Sequence, residues 1–183
     1  MITFELAILL GLIFGVVSIL ISIILKISPR KIVVTCILIA YLTVVASITL
    51  FPIYVEDKME YGAGITWYNY VPCRTIIDTL QYGLSLTAST QLLGNILMTV
   101  PFGVMVLMLT ENHKWWKILI IAIAFASSIE FTQMIIGFTI NNMYRTVDID
   151  DVILNTIGVY IGYGIFKLLP YKIKTYCTKA VKK

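Results

Sequence analysis

The sequence contains few charged residues. Asp, Glu, Lys and Arg make up 13% of its 183 residues, whereas 59% of the residues are apolar. Soluble domains carry a charged fraction of about a quarter. No segment of ~50 residues or more is polar enough to form a separate soluble domain. We therefore expect residues 1–183 to form a single integral membrane domain.

Histidine and cysteine are also scarce. His113 is the only histidine, and the three cysteines are Cys36, Cys73 and Cys177. Their spacing matches no metal-binding motif. We therefore predict that the chain has no metal site and binds no cofactor.

Long apolar runs account for most of the chain. Each is long enough to cross the ~30 Å hydrocarbon core of a bilayer as a helix. The runs are continuous rather than alternating, which excludes a transmembrane β-barrel. The five runs are Leu6–Leu25, Ile32–Ile53, Leu92–Leu109, Ile118–Phe138 and Val152–Leu169. The predicted fold class is an all-α polytopic membrane helical bundle of about five transmembrane helices.

The first run is interpreted as a retained transmembrane helix over residues 6–25. It lacks the basic start, the short apolar stretch and the small-residue cleavage site of a signal peptide. Most of the 14 basic residues fall in the first loop, in the third loop and in a basic tail over residues 170–183. Because basic loops stay in the cytoplasm, we expect the N-terminus outside the cell membrane and the C-terminus in the cytoplasm. The net charge of +4 then reflects topology and anionic lipid, and predicts no binding to nucleic acid.

The segment between the second and third runs contains a predicted surface helix. Pro72 suits the start of a helix. The apolar positions that then share one face are Ile76, Ile77, Leu80 and Leu84. Such an amphipathic helix is expected on the outer membrane surface, or as a re-entrant element, with Arg74 at headgroup depth.

Polar residues at membrane depth collect toward the predicted outer side. Glu130 lies inside an apolar run, where a carboxylate costs about 2.5 to 3.5 kcal/mol on insertion scales. Gln133 shares its helical face at the i, i+3 spacing. Asn95 lies about one turn into the third run, and the fifth opens with Asp151 and Asn155. These groups predict a polar site in the outer leaflet.

The loop before the fifth run adds further charges. Asp148, Asp151 and Asn155 form one stripe if the helix begins near Val147, whereas Asp150 points away and fits a solvated helix cap. Arg145 is the basic residue nearest to Glu130 in sequence on that side. We therefore expect a Glu130–Arg145 contact.

Glycine pairs predict close helix packing. Gly158 and Gly162 continue the stripe of the fifth run, and Gly11 and Gly15 form a similar pair in the first. A small-xxx-small face lets another helix approach closely. These glycines also allow a homodimer.

Four ordered pieces of the chain resemble the VanZ-like family of small bacterial membrane proteins. They are Thr49–Pro52, Asn69–Thr75, Gly94–Gly103, and Ser128–Gln133 followed by Arg145–Gly158. The resemblance covers about residues 41–166 and departs from the family at Cys73, where an aromatic residue is more common. It implies lowered susceptibility to teicoplanin, a lipid-tailed glycopeptide, with little or no protection against vancomycin. The shared polar residues fall on Asn69, Arg74, Asn95, Glu130, Gln133, Arg145, Asp148, Asp151 and Asn155.

Three functions compete on these residues. The first, which we favour, is a polar pocket that binds membrane lipid, a lipoglycopeptide antibiotic or a lipid-linked cell-wall precursor. The second is a membrane-embedded enzyme acting on lipid-linked envelope substrates, with Glu130, Asp148 and Asp151 as its catalytic residues. Glu130 would be its base, the two aspartates could hold a divalent metal against a phosphate, and Arg74 or Arg145 could bind that phosphate. No Ser–His or Cys–His pair supports it, because His113 falls on the opposite side. The third is a transporter, against which five unlike spans argue.

Overall fold

The computed structural model describes residues 2–53, 67–81, 86–110 and 114–182. The described part contains the helices α1 (Phe4–Ile24), α2 (Pro29–Leu50), α3 (Arg74–Gln81), α4 (Leu86–Leu109), α5 (Trp115–Thr139), α6 (Ile149–Leu168) and α7 (Tyr171–Lys182). Five of these, α1, α2, α4, α5 and α6, are long and apolar enough to cross a membrane. The predicted all-α polytopic fold is therefore confirmed, and the chain is a multi-pass membrane protein.

Some predicted features fall outside the described residues. They are the loop residues Lys58 and His113, Leu84 of the surface helix, the side chains of Cys177, Lys179 and Lys182, and Lys183.

Prolines set several helix boundaries. Pro29 opens α2, a position at which its missing N–H is not needed. Pro170 follows α6 and separates it from α7, because proline cannot continue the backbone hydrogen-bond pattern. The basic tail is thus helical over Tyr171–Lys182, which the sequence analysis did not predict, and α7 packs on α2 and α4.

The core of the bundle lies between α4, α5 and α6. Small residues bring α4 and α6 into close contact, because Gly103 faces the backbone of Val159 and Gly162 faces the backbone of Val100. The predicted close approach at Gly158 and Gly162 is confirmed, with α4 as the partner. The buried apolar cluster beside this crossing consists of Val106, Leu107, Ile118, Ala122, Val159 and Phe166.

The first helix lies at the edge of the bundle. It packs mainly on α2, where Gly11 meets Thr43, and the bridge between Ile2 and Ile53 ties its start to the end of α2. A Cβ added at Gly15 would meet nothing within 4 Å, so only one glycine of the predicted pair makes a close contact.

Gly162→Val is expected to destabilise the bundle because the new side chain would collide with the backbone of α4. Overpacking of this kind costs about 1–3 kcal/mol. Thermal unfolding in detergent measures the loss. Gly164→Val is the matched control on the same helix, because a Cβ at Gly164 meets nothing within 4 Å. Equal midpoints for the two variants would contradict the packing described for α4 and α6.

A short parallel strand pair joins two distant segments of the chain. Strand β1 (Tyr68–Asn69) pairs with β2 (Val147–Asp148), and Asn69 lies opposite Asp148. This pairing carries the segment before α3 to the start of α6. The predicted outer polar residues are thereby brought to one end of the bundle, which we call the polar end.

Candidate functional site

A cavity of about 820 Å³ opens between α2, α4, α5 and α6 at the polar end. Its volume lies in the range usual for ligand sites. Six predicted site residues line it: Asn95, Glu130, Gln133, Arg145, Asp151 and Asn155. The other three, Asn69, Arg74 and Asp148, do not border this cavity.

Asp148 connects Glu130 to the surface segment. The backbone N–H of Asp148 donates to Glu130 Oε2 at 3.1 Å. In turn, the carboxylate of Asp148 accepts from Asn69 Nδ2 at 2.8 Å and from Thr75 Oγ1 at 2.6 Å. Asp148 also accepts from the N–H of Asp150 at 2.8 Å and so caps α6. The helix begins at Ile149 rather than Val147, and Asp148 is its cap and not part of its stripe.

Asp150 holds the surface helix in place. Its carboxylate accepts from the N–H of Cys73 and from the N–H of Ile76, the latter at 3.2 Å. Cys73 directly precedes α3 and Ile76 lies in its first turn, where backbone N–H groups have no acceptor within the helix. The expectation that Asp150 is solvated was wrong, because its side chain is completely buried. A buried carboxylate on a helix N-terminus is stabilised there by hydrogen bonds and by the helix dipole.

Asp150→Ala is expected to release α3 from the bundle. Loss of a capping carboxylate costs about 0.5–2 kcal/mol, and here two backbone donors lose their acceptor. Hydrogen exchange of the α3 amides should become faster in the variant. Asp78→Ala is the control, since Asp78 is exposed on the same helix. Unchanged exchange in Asp150→Ala would rule out this capping role.

Asp151 and Asn155 lie one turn apart on α6 and border the cavity. Asp151 Oδ1 accepts from Asn95 Nδ2, which links α6 to α4. Asn155 is only 1% exposed, and its side-chain Oδ1 and Nδ2 have no hydrogen-bond partner. Its backbone oxygen, in contrast, accepts from Thr99 Oγ1 at 2.8 Å. The amide of Asn155 is therefore the unsatisfied polar group at the cavity.

Arg145 and Gln133 bind the free carbonyls at the end of α2. Arg145 Nη2 donates to the oxygens of Ile48 at 3.0 Å and Phe51 at 2.9 Å. Gln133 Nε2 donates to Thr49 O at 2.9 Å. The last carbonyls of a helix lack partners within it, which explains why these donors gather there.

The expected Glu130–Arg145 contact was wrong as a direct ion pair. Among the described residues, no nitrogen of Arg145 comes within 4.0 Å of the Glu130 carboxylate, although both side chains border the cavity. The guanidinium is instead held by the carbonyls of α2, and Glu130 accepts from a backbone N–H.

Residues 33–170 match the family model described as VanZ/LLP1. The match covers well over half of the chain. The chain belongs to the VanZ/LLP1 family. It is a VanZ-like membrane protein, and at family level this group is linked to glycopeptide resistance. No curated protein and no solved structure gave a significant match.

The VanZ/LLP1 match contains every residue that lines the cavity. Helix α1 lies outside it, and so does α7. The part of the chain that defines family membership is therefore the part that builds the cavity.

The cavity of this VanZ/LLP1 member has an apolar side that faces outward from the bundle. Val44 and Ile48 of α2 and Leu97 of α4 line it, and each is more than half exposed. Tyr41 spans the gap between these two helices, with its hydroxyl donating to Met98 O at 2.9 Å. Tyr41 and these wall residues were missed by sequence reasoning, because apolar residues in a membrane helix carry no signal of a cavity.

Arg74 lies apart from the cavity. It is exposed on α3 and faces Asp78 at 3.9 Å, in an i, i+4 pair. The predicted amphipathic helix is confirmed as α3, with Ile77 and Leu80 exposed. Since an exposed pair of this kind contributes little to stability, Arg74 remains available for other contacts.

No metal centre is visible in the described ranges. No group of three Asp, Glu, His or Cys side chains there is placed to hold an ion. The three neighbouring aspartates diverge, since Asp148 binds Asn69 and Thr75, Asp150 binds the start of α3, and Asp151 binds Asn95.

Proposed function

We propose that this chain lowers susceptibility to lipid-tailed glycopeptide antibiotics such as teicoplanin by binding a lipid-linked ligand in its cavity. The ligand is the acyl-tailed antibiotic itself or a lipid-linked cell-wall precursor. The observation that carries the proposal is the division of the cavity into a polar end and an apolar side. Lipid-linked molecules have the same division between headgroup and chain.

The length of the cavity suits one acyl chain within one leaflet of the bilayer. On α2, the lining residues run from Tyr41 to Thr49, a distance of about 12 Å at the rise of an α-helix. Half of a ~30 Å hydrocarbon core is similar in depth. The acyl chain would enter the cavity sideways from the bilayer, past the exposed side chains of Val44, Ile48 and Leu97.

The expected orientation places the polar end in the outer leaflet. The basic residues near the opposite end of α2 are Lys26, which precedes the helix, and Arg30 and Lys31, which lie in its first turn. By the positive-inside rule, that end faces the cytoplasm. An outward-facing polar end would meet antibiotics that partition into the outer leaflet through an acyl tail.

A membrane-embedded enzyme is the second candidate. It is favoured by one observation, the presence of Glu130 and Asp151 on the same cavity, where paired carboxylates serve as acid and base in many hydrolytic sites. An enzyme would protect cells at low copy number, whereas a binder protects in proportion to its amount.

Susceptibility to teicoplanin and vancomycin tests the proposal directly. The chain is expressed at graded, measured membrane levels in a sensitive Gram-positive host. We expect protection against teicoplanin that rises with the amount of protein, and little or none against vancomycin. Saturation of protection at the lowest level would favour the enzyme.

The variant Gly94→Leu tests in the same experiment whether the cavity is needed for protection. Gly94 lines the cavity and has no neighbour within 4 Å of an added Cβ, so the larger side chain fills the cavity without a clash at its base. We expect the variant to fold normally and to protect less. Gly164→Leu is the control, because Gly164 also has open space around it but does not border the cavity. Full protection by Gly94→Leu would contradict a role for the cavity.

A further inference from the structure

The ionisable groups on the cavity are unbalanced. Among the described residues that line it, Glu130 and Asp151 contribute two carboxyl groups, and Arg145 contributes the single basic side chain. Neither carboxylate has a Lys or Arg nitrogen within 4.0 Å among the residues that the structure describes. At membrane depth, carboxylates are normally paired or directed at a ligand or water.

Arg145 does not offset this imbalance by contact. Its Nη2 donates to two carbonyl oxygens at the end of α2, which fixes the guanidinium there. The partners of the two carboxyl groups are neutral donors: the N–H of Asp148 for Glu130, and the side-chain amides of Asn95 and Gln91 for Asp151. The cavity therefore presents more carboxyl groups than basic groups to a ligand.

Asn155 is an independent sign of a missing ligand. Its side chain is 1% exposed, borders the cavity one turn from Asp151, and has no partner at either Oδ1 or Nδ2. A buried amide without hydrogen bonds is unfavourable unless a bound molecule or water satisfies it. The oxygen of this amide is a further acceptor beside the carboxylates.

We propose that the cavity selects lipid-tailed molecules whose headgroup carries a protonated amine. This inference rests on the proposed function and names the chemistry of its ligand. An ammonium group offers three donors and a positive charge, which Glu130, Asp151 and Asn155 Oδ1 would accept. The apolar residues of α2 and α4 that line the cavity would bind the acyl chain of the ligand. A phosphate headgroup fits less well, because two carboxyl groups line the cavity against one guanidinium, and Nη2 of that guanidinium already donates to two carbonyls.

Binding of three simple probes to the purified full-length protein tests the inference. Dodecylamine carries the chain and the ammonium, dodecyl phosphate carries the chain and an anion, and ethylamine carries the ammonium alone. Each is titrated at matched mole fraction into protein held in a neutral maltoside detergent. Binding is measured by native mass spectrometry and by the thermal unfolding midpoint. We expect dodecylamine to bind and stabilise, and the other two to do neither.

Two variants link the binding to the cavity. Glu130→Gln keeps an oxygen that can accept from Asp148 N–H, and Asp151→Asn keeps one for Asn95, so both are expected to fold. Each should weaken dodecylamine binding by about tenfold or more, the usual result of removing one partner of a buried charge contact. Asp78→Asn is the control, because Asp78 is exposed on α3 away from the cavity.

The outcomes separate the two proposals. Binding of dodecyl phosphate as tight as that of dodecylamine would overturn the amine inference and leave a lipid-binding cavity. Equal binding of ethylamine and dodecylamine would support the amine and overturn the role of the chain. Dodecylamine binding that is unchanged in both variants would place it outside the cavity and overturn the inference. No binding of dodecylamine would also overturn it.

Discussion

Asp148→Ala is expected to cause the largest loss of stability of any single change at the polar end. The Asp148 carboxylate accepts from Asn69 Nδ2, Thr75 Oγ1 and the N–H of Asp150, and it is only 5% exposed. Removing it leaves three donors without an acceptor. Hydrogen bonds to a charged group contribute about 1.5–3 kcal/mol each, so the loss of three is expected to cost about 4.5 kcal/mol or more. The yield of monodisperse protein and its unfolding midpoint in detergent measure the effect.

Asp148→Asn separates hydrogen bonding from charge at the same position. The asparagine oxygen can accept from Asn69 and from Asp150 N–H, and its Nδ2 can donate to the Thr75 hydroxyl. We therefore expect this variant to retain most of the stability that alanine loses. If the alanine variant were as stable as wild type, Asp148 would not be the residue that joins the surface segment to α6.

Glu130→Gln is expected to abolish protection against teicoplanin without unfolding the protein. Glu130 is 5% exposed and borders the cavity, and its one hydrogen bond, from Asp148 N–H, can be accepted by the glutamine oxygen. The change replaces the carboxyl group by a neutral amide of the same size and leaves the shape of the cavity intact. The inhibitory concentration of teicoplanin should fall to that of the host without the protein, at equal membrane levels of wild type and variant.

Ser128→Ala is the matched control for that experiment. Ser128 lies half a turn away on the same helix, is exposed, and does not line the cavity. Its hydroxyl donates only to Phe125 O of the same helix, so its loss should leave protection unchanged. Full protection by Glu130→Gln would show that the carboxylate is not needed, and the account of an acidic cavity would fail.

Hydropathy and spacing were sufficient to predict the helices. A run of about 20 apolar residues has one stable solution in a bilayer, and all five predicted spans are helical. The amphipathic helix α3 and the close packing at the glycines of α6 were also predicted correctly, because both depend on residue spacing within one helix. The tail helix α7 was missed, since short basic segments carry only a weak periodic signal.

Partners across the bundle could not be read from the sequence. Nearness along the chain suggested that Arg145 binds Glu130, yet its partners are the carbonyls of α2, nearly a hundred residues earlier. Asp150 was expected to be solvated because it points away from the stripe of Asp148 and Asp151. The strand pairing between Asn69 and Asp148 instead brings the start of α3 against its side chain. Both errors have the same cause. The free carbonyls at the end of α2 and the free N–H groups at the start of α3 need partners, and which side chains reach them depends on how the helices pack.

Site-specific photo-cross-linking gives the most direct test of a lipid-binding cavity. A benzophenone amino acid replaces Leu97, which lines the cavity, or Leu93, which lies one turn away on α4. Both side chains are more than half exposed, so positions 93 and 97 are expected to contact bulk lipid to a similar extent. After illumination of cells treated with teicoplanin, adducts are identified by mass spectrometry. We predict a lipid-linked adduct, the antibiotic or a cell-wall precursor, that is enriched at position 97 and lost in Glu130→Gln. Equal labelling at positions 93 and 97, unaffected by Glu130→Gln, would contradict the account.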